Sequence, residues 1–504
     1  MAIASALALS GIYSLDTVVH ASQVESKEKA QVLNNKSADQ EFSLENVVVT
    51  AQRVKTKDLD TPATTTVITA EQLKDSGAIS IYDELERVQG VNSYSYGNGG
   101  ETYGGMYSRI NVRGLDKGTL VLVNGNPINL MSYNNMMNVI PVGAVEKIEV
   151  VKGSNSVLYG AEAMGGVINI ITKKPGSKLP QNIASVQYGN YDKNYSFGVE
   201  GEKFNFYYKK EYRGALEQYN RMFTTSSKKI TREKGTKDSF FLNYSFNDRL
   251  TATYAYAETD SWFRQFSYSP VTKNWTTLYK NYLYNDTRQN FGLTYNDEKN
   301  NLKSTFSYNS DQFRPGGDAT TNTDLSSLNF DTQKAWNFKN GKDTLVGGVN
   351  FHQESYTQRY GAHQGSFDRD SYAAYVSYTN QLTDKFSATL GVREHFVIGN
   401  NYDQGQNIFL PQFQTLYKIN NNTSWYTNIG KSFELPASNS PFYGSGAVST
   451  AIPLKPQEGW NYETGMKFSN DKEMLKVAVF TMDINNKFKW VKENTVIPGG
   501  DPNT

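Results

Sequence analysis

The sequence predicts a transmembrane β-barrel of antiparallel strands preceded by a compact α+β unit. Three observations carry that reading. Tyr 34, Phe 26 and Trp 6 bring aromatic content to 13% of the 504 residues, yet mean hydropathy is only −0.58. A polar but aromatic-rich chain suits a wall with a wet lumen, an apolar outer band and aromatic girdles. Over residues 181–504, apolar and polar side chains alternate with period two between recurring short polar turns. No apolar run is long enough for a transmembrane helix.

Bulk numbers narrow the class. A chain of 504 residues exceeds one ordinary soluble domain, so at least two units are expected. With 51 Lys+Arg against 50 Asp+Glu, the net charge of +1 argues against a nucleic-acid partner. Cysteine is absent, which excludes a disulfide framework and thiolate metal sites.

The N-terminus opens with an apolar run over residues 2–15, followed by Val19, His20 and the small Ala21. This reads as a secretory signal over residues 1–21, cleaved after Ala21, although a basic leading segment is missing. Residues 22–44 are polar and without periodicity, as in a flexible linker. Next, Glu45, Asn46, Val47, Val48, Val49, Thr50 and Ala51 form a β-branched run isolated in that polar setting.

Residues 58–176 read as the α+β unit. Thr69 is a helix N-cap with Gln72 closing a capping box. A second helix fits residues 79–88, with Ile79, Leu85 and Val88 near helical spacing and a stop at Gly90. Strands are expected at 109–114, 119–125, 144–152 and 166–173.

Short turns then recur at 201–203, 247–249, 299–301, 340–341, 383–384, 420–422 and 471–472. Their spacing of roughly 40 to 50 residues suits a strand, a tight turn, a second strand and a longer loop. Phe386, Ala388, Leu390 and Val392 share one face, and Lys385, Ser387, Thr389 and Arg393 the other. Phe204, Phe206 and Tyr208 alternate in the same way with Lys203, Asn205 and Tyr207. The turns imply about fifteen strands over 181–504.

The stretch 145–175, VEKIEVVKGSNSVLYGAEAMGGVINIITKKP, with ITAEQLKDSG, INVRGL and LVLVNGNPI before it, closely resembles the plug domain of TonB-dependent outer-membrane receptors. That family's barrel closes at about 22 strands around the plug. The resemblance therefore implies a bacterial outer-membrane location and about seven further strands, on the order of 160 residues. Without them two sheet edges would stay unpaired in lipid. It makes residues 45–51 a TonB box, which a partner's sheet would augment through backbone hydrogen bonds. The implied partners are TonB with ExbB and ExbD in the periplasm, a metal-chelate cargo and outer-membrane lipid around a monomer. No cofactor is implied.

Catalytic motifs are absent. His20, His352, His363 and His395 are scattered without HExxH spacing, 430–432 lacks the upstream glycine of a P-loop, and no GxSxG occurs. The family captures cargo from outside, so two loops of the α+β unit become candidate contacts. The first carries Tyr94, Tyr96, Tyr103 and Tyr107, and the second Met131, Tyr133, Met136 and Met137. Tyrosines offer flat faces with a hydroxyl, and methionines adaptable contact, to a planar chelate. In the barrel, His363 and His395 are candidate cargo contacts. Arg87, Arg113, Glu146 and Glu149 are expected to anchor plug to wall. Haem receptors of the family place a histidine between two motifs that align with 433–436 and 454–457, and none lies there. A ferric siderophore is the expected cargo, with haem and cobalamin as alternatives and a passive porin-like barrel as the reading from another class.

Overall fold

The computed structural model describes residues 48–49, 53, 56–94, 109–115, 118–131, 137–218, 228–269, 271–317, 321–360, 363–399, 402–436 and 455–487. The signal, the linker and most of the segment 45–51 lie outside them.

The N-terminal unit begins with a two-residue pairing of β1 (Val48–Val49) against β2 (Thr56–Lys57). It continues through β3 (Thr65–Thr69), α1 (Ala70–Asp75), α2 (Ile81–Leu85), β4 (Val91–Tyr94) and β5 (Arg109–Val112). Then come β6 (Thr119–Val123), β7 (Asn126–Pro127), β8 (Val145–Lys152), α3 (Ser156–Tyr159) and β9 (Gly166–Thr172). Five strands form one mixed sheet in the order β3-β8-β9-β6-β7, with β6 and β9 parallel.

Local chemistry fixes these bounds. The Thr69 hydroxyl accepts the Gln72 N–H while the Gln72 side chain accepts the Thr69 N–H, the expected capping box. The second helix is shorter than expected. Ser80 and Asp83 make their own capping box, so Ile79 stays outside, and the chain turns away before Gly90, which takes φ +73°. Ile68, Leu73, Ile81, Leu85, Val121, Ile148, Val150, Ile168 and Ile170 close one apolar cluster between sheet and helices. Removing that surface from water is the main force holding the unit together.

The wall is a seventeen-stranded sheet running in sequence order from Gln181–Tyr188 to Met474–Asn485, each long strand antiparallel to the next. Two short strands, Leu216–Gln218 and Gly316–Gly317, extend their predecessors against the same neighbours, so fifteen strands span the wall, the number the turns predict. All seven predicted turns fall at hairpin ends. Among the described residues, the first and last strands each have one paired neighbour.

The period-two pattern sorts side chains to two faces. Leu390 is 63% and Phe409 53% exposed on the outside. Asn205, Asn243 and Arg393 face inward, each 1% exposed, against the α+β unit that fills the interior.

Candidate functional site

Where the N-terminal unit meets the wall, charged contacts stand beside an apolar one in which Tyr207, Phe241, Leu325, Tyr356 and Phe367 of the wall join the unit's own cluster. Arg53 lies just after the segment 45–51 with a positive φ of 67°, costly for a residue with a Cβ. Its guanidinium pairs with Asp331, donates to the Leu158 carbonyl at 2.6 Å and the Gln333 side chain at 3.0 Å, and stacks on Tyr159 and Tyr375. Gln333 returns a bond to the Arg53 carbonyl at 2.8 Å. One side chain thus ties the start of the unit to helix α3 and to the wall. Burial alone would lower the Arg53 pKa, but the Asp331 charge and hydrogen bond, together with Tyr375 and Tyr159, outweigh it and raise the value.

A second anchor follows at Asp58. Lys467, 1% exposed, donates to the Asp58 carbonyl at 2.7 Å, its carboxylate at 3.1 Å and the Thr61 carbonyl at 2.9 Å. Lys476 pairs with the other carboxylate oxygen. Burial would push the Asp58 carboxyl up, yet the two ammonium groups win and hold it below the usual carboxylate range. A third anchor joins Arg113 to Glu463 at 2.7 Å, and Glu463 also accepts from the Thr64 hydroxyl at 2.6 Å and from Tyr426.

Midway along the wall strands, Asn138 is held by two cations. Lys237 donates to its carbonyl at 2.6 Å and Arg288 to its side-chain oxygen at 2.7 Å. Between the unit and the strands over 321–399 lies a cavity of about 50 Å³, lined among others by Arg53, Tyr159, Glu162, His352, Glu354 and His395. That is room for a few waters. Glu162 faces it from a turn at φ +66°. Burial and then the Glu354 charge push its carboxyl up to about 8. Among the described residues, no group of three or more His, Asp or Glu side chains is arranged to hold a metal ion.

The expected site residues distribute unevenly. Arg113 reaches the wall. Arg87 does not do so in the bonds it makes here: it turns back onto Glu84 at 3.2 Å and the Ser76 carbonyl at 3.1 Å, because α2 presents it on the unit's own surface. Glu149 sits fully buried in the central sheet beside Lys147 at 2.7 Å, and Glu146 on the same strand is exposed. Met131 and Met137, expected as cargo contacts, are 3% and 0% exposed within the apolar cluster, where their flexible side chains fill the core.

His395 is 3% exposed, accepts from the Arg393 Nε at 3.4 Å through Nδ1 and packs edge-on against Phe433. Tyr94 ends β4 and His363 opens the strand His363–Gln381, their side chains outside the description. Tyr96, Tyr103, Tyr107, Tyr133 and Met136 lie outside the described residues, as do Glu45, Asn46, Val47, Thr50 and Ala51. Sequence reasoning missed Arg53, Asp58, Lys467 and Asp331. The one local hint was Lys467, a lysine on the inward face of its strand between the outward-facing Met466 and Phe468.

Comparison with known proteins accords with this architecture. Residues 57–167 match the TonB-dependent receptor plug domain and residues 174–501 the TonB-dependent receptor-like β-barrel. The chain belongs to the TonB-dependent receptors, plugged β-barrels of the outer membrane. A vitamin B12 transporter of Photobacterium profundum is 24% identical over 488 residues, covering 92% of this chain and 74% of that protein. The ferripyoverdine receptor of Pseudomonas aeruginosa superposes with a TM-score of 0.63 at 16% identity, over 90% of this chain and 67% of its own. The siderophore receptor PirA of Acinetobacter baumannii gives 0.60 at 17% identity, over 84% and 71%. The α+β unit is therefore the plug, and the family to which it belongs is one of receptors and transporters.

Proposed function

We propose that this receptor imports a ferric siderophore across the outer membrane, energised by TonB with ExbB and ExbD pairing to residues 45–51. The observation that carries active import is the Arg53 clamp. A segment offered to a periplasmic partner leads directly into a side chain bonded to both plug helix α3 and the wall, so tension on the segment acts on the plug. A passive pore has no use for such a link. The tyrosines proposed to meet the cargo are Tyr94, Tyr96, Tyr103, Tyr107 and Tyr133, whose rings offer flat, hydroxyl-bearing faces. Arg113 anchors the plug to the wall.

Cobalamin is the second reading, favoured by the 24% identical vitamin B12 transporter. Tryptophan quenching of the receptor in detergent, titrated in parallel with a ferric catecholate, a ferric hydroxamate, haemin and cyanocobalamin, separates the two. Saturable binding of a ferric siderophore alone is the expected result, and binding of cyanocobalamin alone would overturn it. Deleting residues 45–51 should abolish uptake while leaving binding intact; uptake that survives the deletion would mean passive entry.

A further inference from the structure

The wall is interrupted beside helix α3. Strand Tyr402–Asn420 pairs with strand Thr423–Glu434 from Asn420↔Thr423 up to Gln412↔Gly430, and there the ladder stops. The next residue on one strand is Pro411, which has no N–H to continue it. On the other strand the in-out alternation ends at Lys431, and residues 432–436 are buried without a break. Residues 432–434 stay paired with strand Gln457–Ser469 out to Glu434↔Gln457, yet both faces of the stretch are covered, as happens when one strand pair bends inward from its neighbour in the wall.

Its contacts say what covers it. Phe433 packs on the His395 ring with centroids 4.9 Å apart. Phe433 and Leu435 share an apolar cluster with Val397, Ile408 and Leu410 of the inner wall and with Val157 of α3. Arg369, itself paired with Glu354, donates to the Pro436 carbonyl at 2.9 Å. Over much of the lumen wall the buried side chains are Asn, Ser, Thr and charged residues; wall residues Tyr207, Phe241, Leu325, Tyr356 and Phe367 join the plug's own apolar cluster, and the wedge at Phe433 is a separate apolar contact that reaches α3. Helix α3 is also the element whose Leu158 carbonyl Arg53 holds at 2.6 Å.

We propose that residues 432–436 form an inward strap, pinned by Arg369, that couples the outer end of the barrel to α3 and through Arg53 to the TonB box. The proposal rests on the import reading, because it supplies the route by which an event at the outer rim changes release of the box. Phe433 and Arg369 are positioning residues in it. Movement of the strap shifts α3 by direct contact, and α3 carries one end of the Arg53 clamp.

The chain has no cysteine, so a single V48C replacement in the full receptor gives one reactive thiol in the box. Its maleimide labelling rate in outer-membrane fragments without TonB reads box release and needs no cargo. Phe433→Ala should speed labelling on the order of fivefold or more. Should that variant fail to assemble, Arg369→Gln removes the pin and should give the same rise. Asn309→Ala, which removes a plug–wall bond from strand Leu302–Phe313 to the Pro127 carbonyl, should leave the rate within about twofold, since it removes an ordinary hydrogen bond that involves neither the strap nor α3. Arg53→Ala should speed labelling, and adding Phe433→Ala to it should add nothing. Unchanged labelling in both strap variants, or independent multiplication of the Phe433 and Arg53 effects, would overturn the proposal. Failure of import itself is read separately, from uptake after deletion of residues 45–51.

Discussion

Ile148, Val150, Ile168 and Ile170 inside the plug and Asp58, Arg113, Lys467 and Glu463 at its boundary are buried to a similar degree, but by opposite chemistry. The first group is stabilised by loss of apolar surface from water, and nothing outside the fold replaces that gain. The second is held by ion pairs and hydrogen bonds, whose partners water can replace once the contact opens. The polar part of the boundary can therefore exchange protein partners for solvent more readily than the interior opens, whereas the part where Tyr207, Phe241, Leu325, Tyr356 and Phe367 of the wall join the plug's apolar cluster resists as the core does.

The sharpest way to break this comparison is Ile148→Ala. It should cost the plug about 3 kcal/mol through lost burial and a residual cavity, read as a lower midpoint in denaturant, and no second polar substitution should rescue it. Lys467→Ala should come next. It leaves Asp58 with Lys476 as its remaining cation, so the cost should be about 2 to 3 kcal/mol, at or below the low end of the range of about 3 to 5 for breaking a buried pair. Here the boundary should differ from the core, because combining Lys467→Met with Asp58→Asn should recover most of the loss in the same measurement.

Protonation separates the two ends of the boundary. The Asp58 carboxyl titrates below its unfolded value, so its contribution is complete above about pH 4 and is lost as pH falls through the folded pKa. Glu162 has the reverse sign. With its carboxyl up at about 8, the folded form holds more protons than the unfolded one between about pH 4 and 8, so stability falls as pH rises across that window. Plug melting at pH 3, 5 and 8 should show both limbs; Asp58→Asn should flatten the acid one and Glu162→Gln the alkaline one. The smallest effect belongs to Arg87→Ala. Its side chain is 53% exposed, and the change should stay within about 0.5 kcal/mol.

Much of the fold was legible because it is written locally. Turns such as 247–249 and 383–384 sit between strands whose alternation shows within ten residues, and the Thr69–Gln72 capping box needs four. The second helix was overextended because Ile79, Leu85 and Val88 share a spacing that says nothing about Ser80 starting the helix late. The boundary was largely illegible for a different reason. Arg53 meets Asp331 across 278 positions and Lys467 meets Asp58 across 409, and no periodicity marks which inward-facing charge finds which plug residue. Arg113 was anticipated as an anchor. Arg87 and Glu149, just as charged, are spent within the plug, a distinction that composition alone does not contain.

Lys467 makes two of its three hydrogen bonds to backbone carbonyls, those of Asp58 and Thr61. A carbonyl survives any replacement of its own side chain, so drift at positions 58 and 61 leaves most of this contact in place. Drift at 467 erases all of it. The anchor is therefore inherited through the barrel more than through the plug, and a plug exchanged between related receptors could still seat on this lysine if its backbone followed the same path.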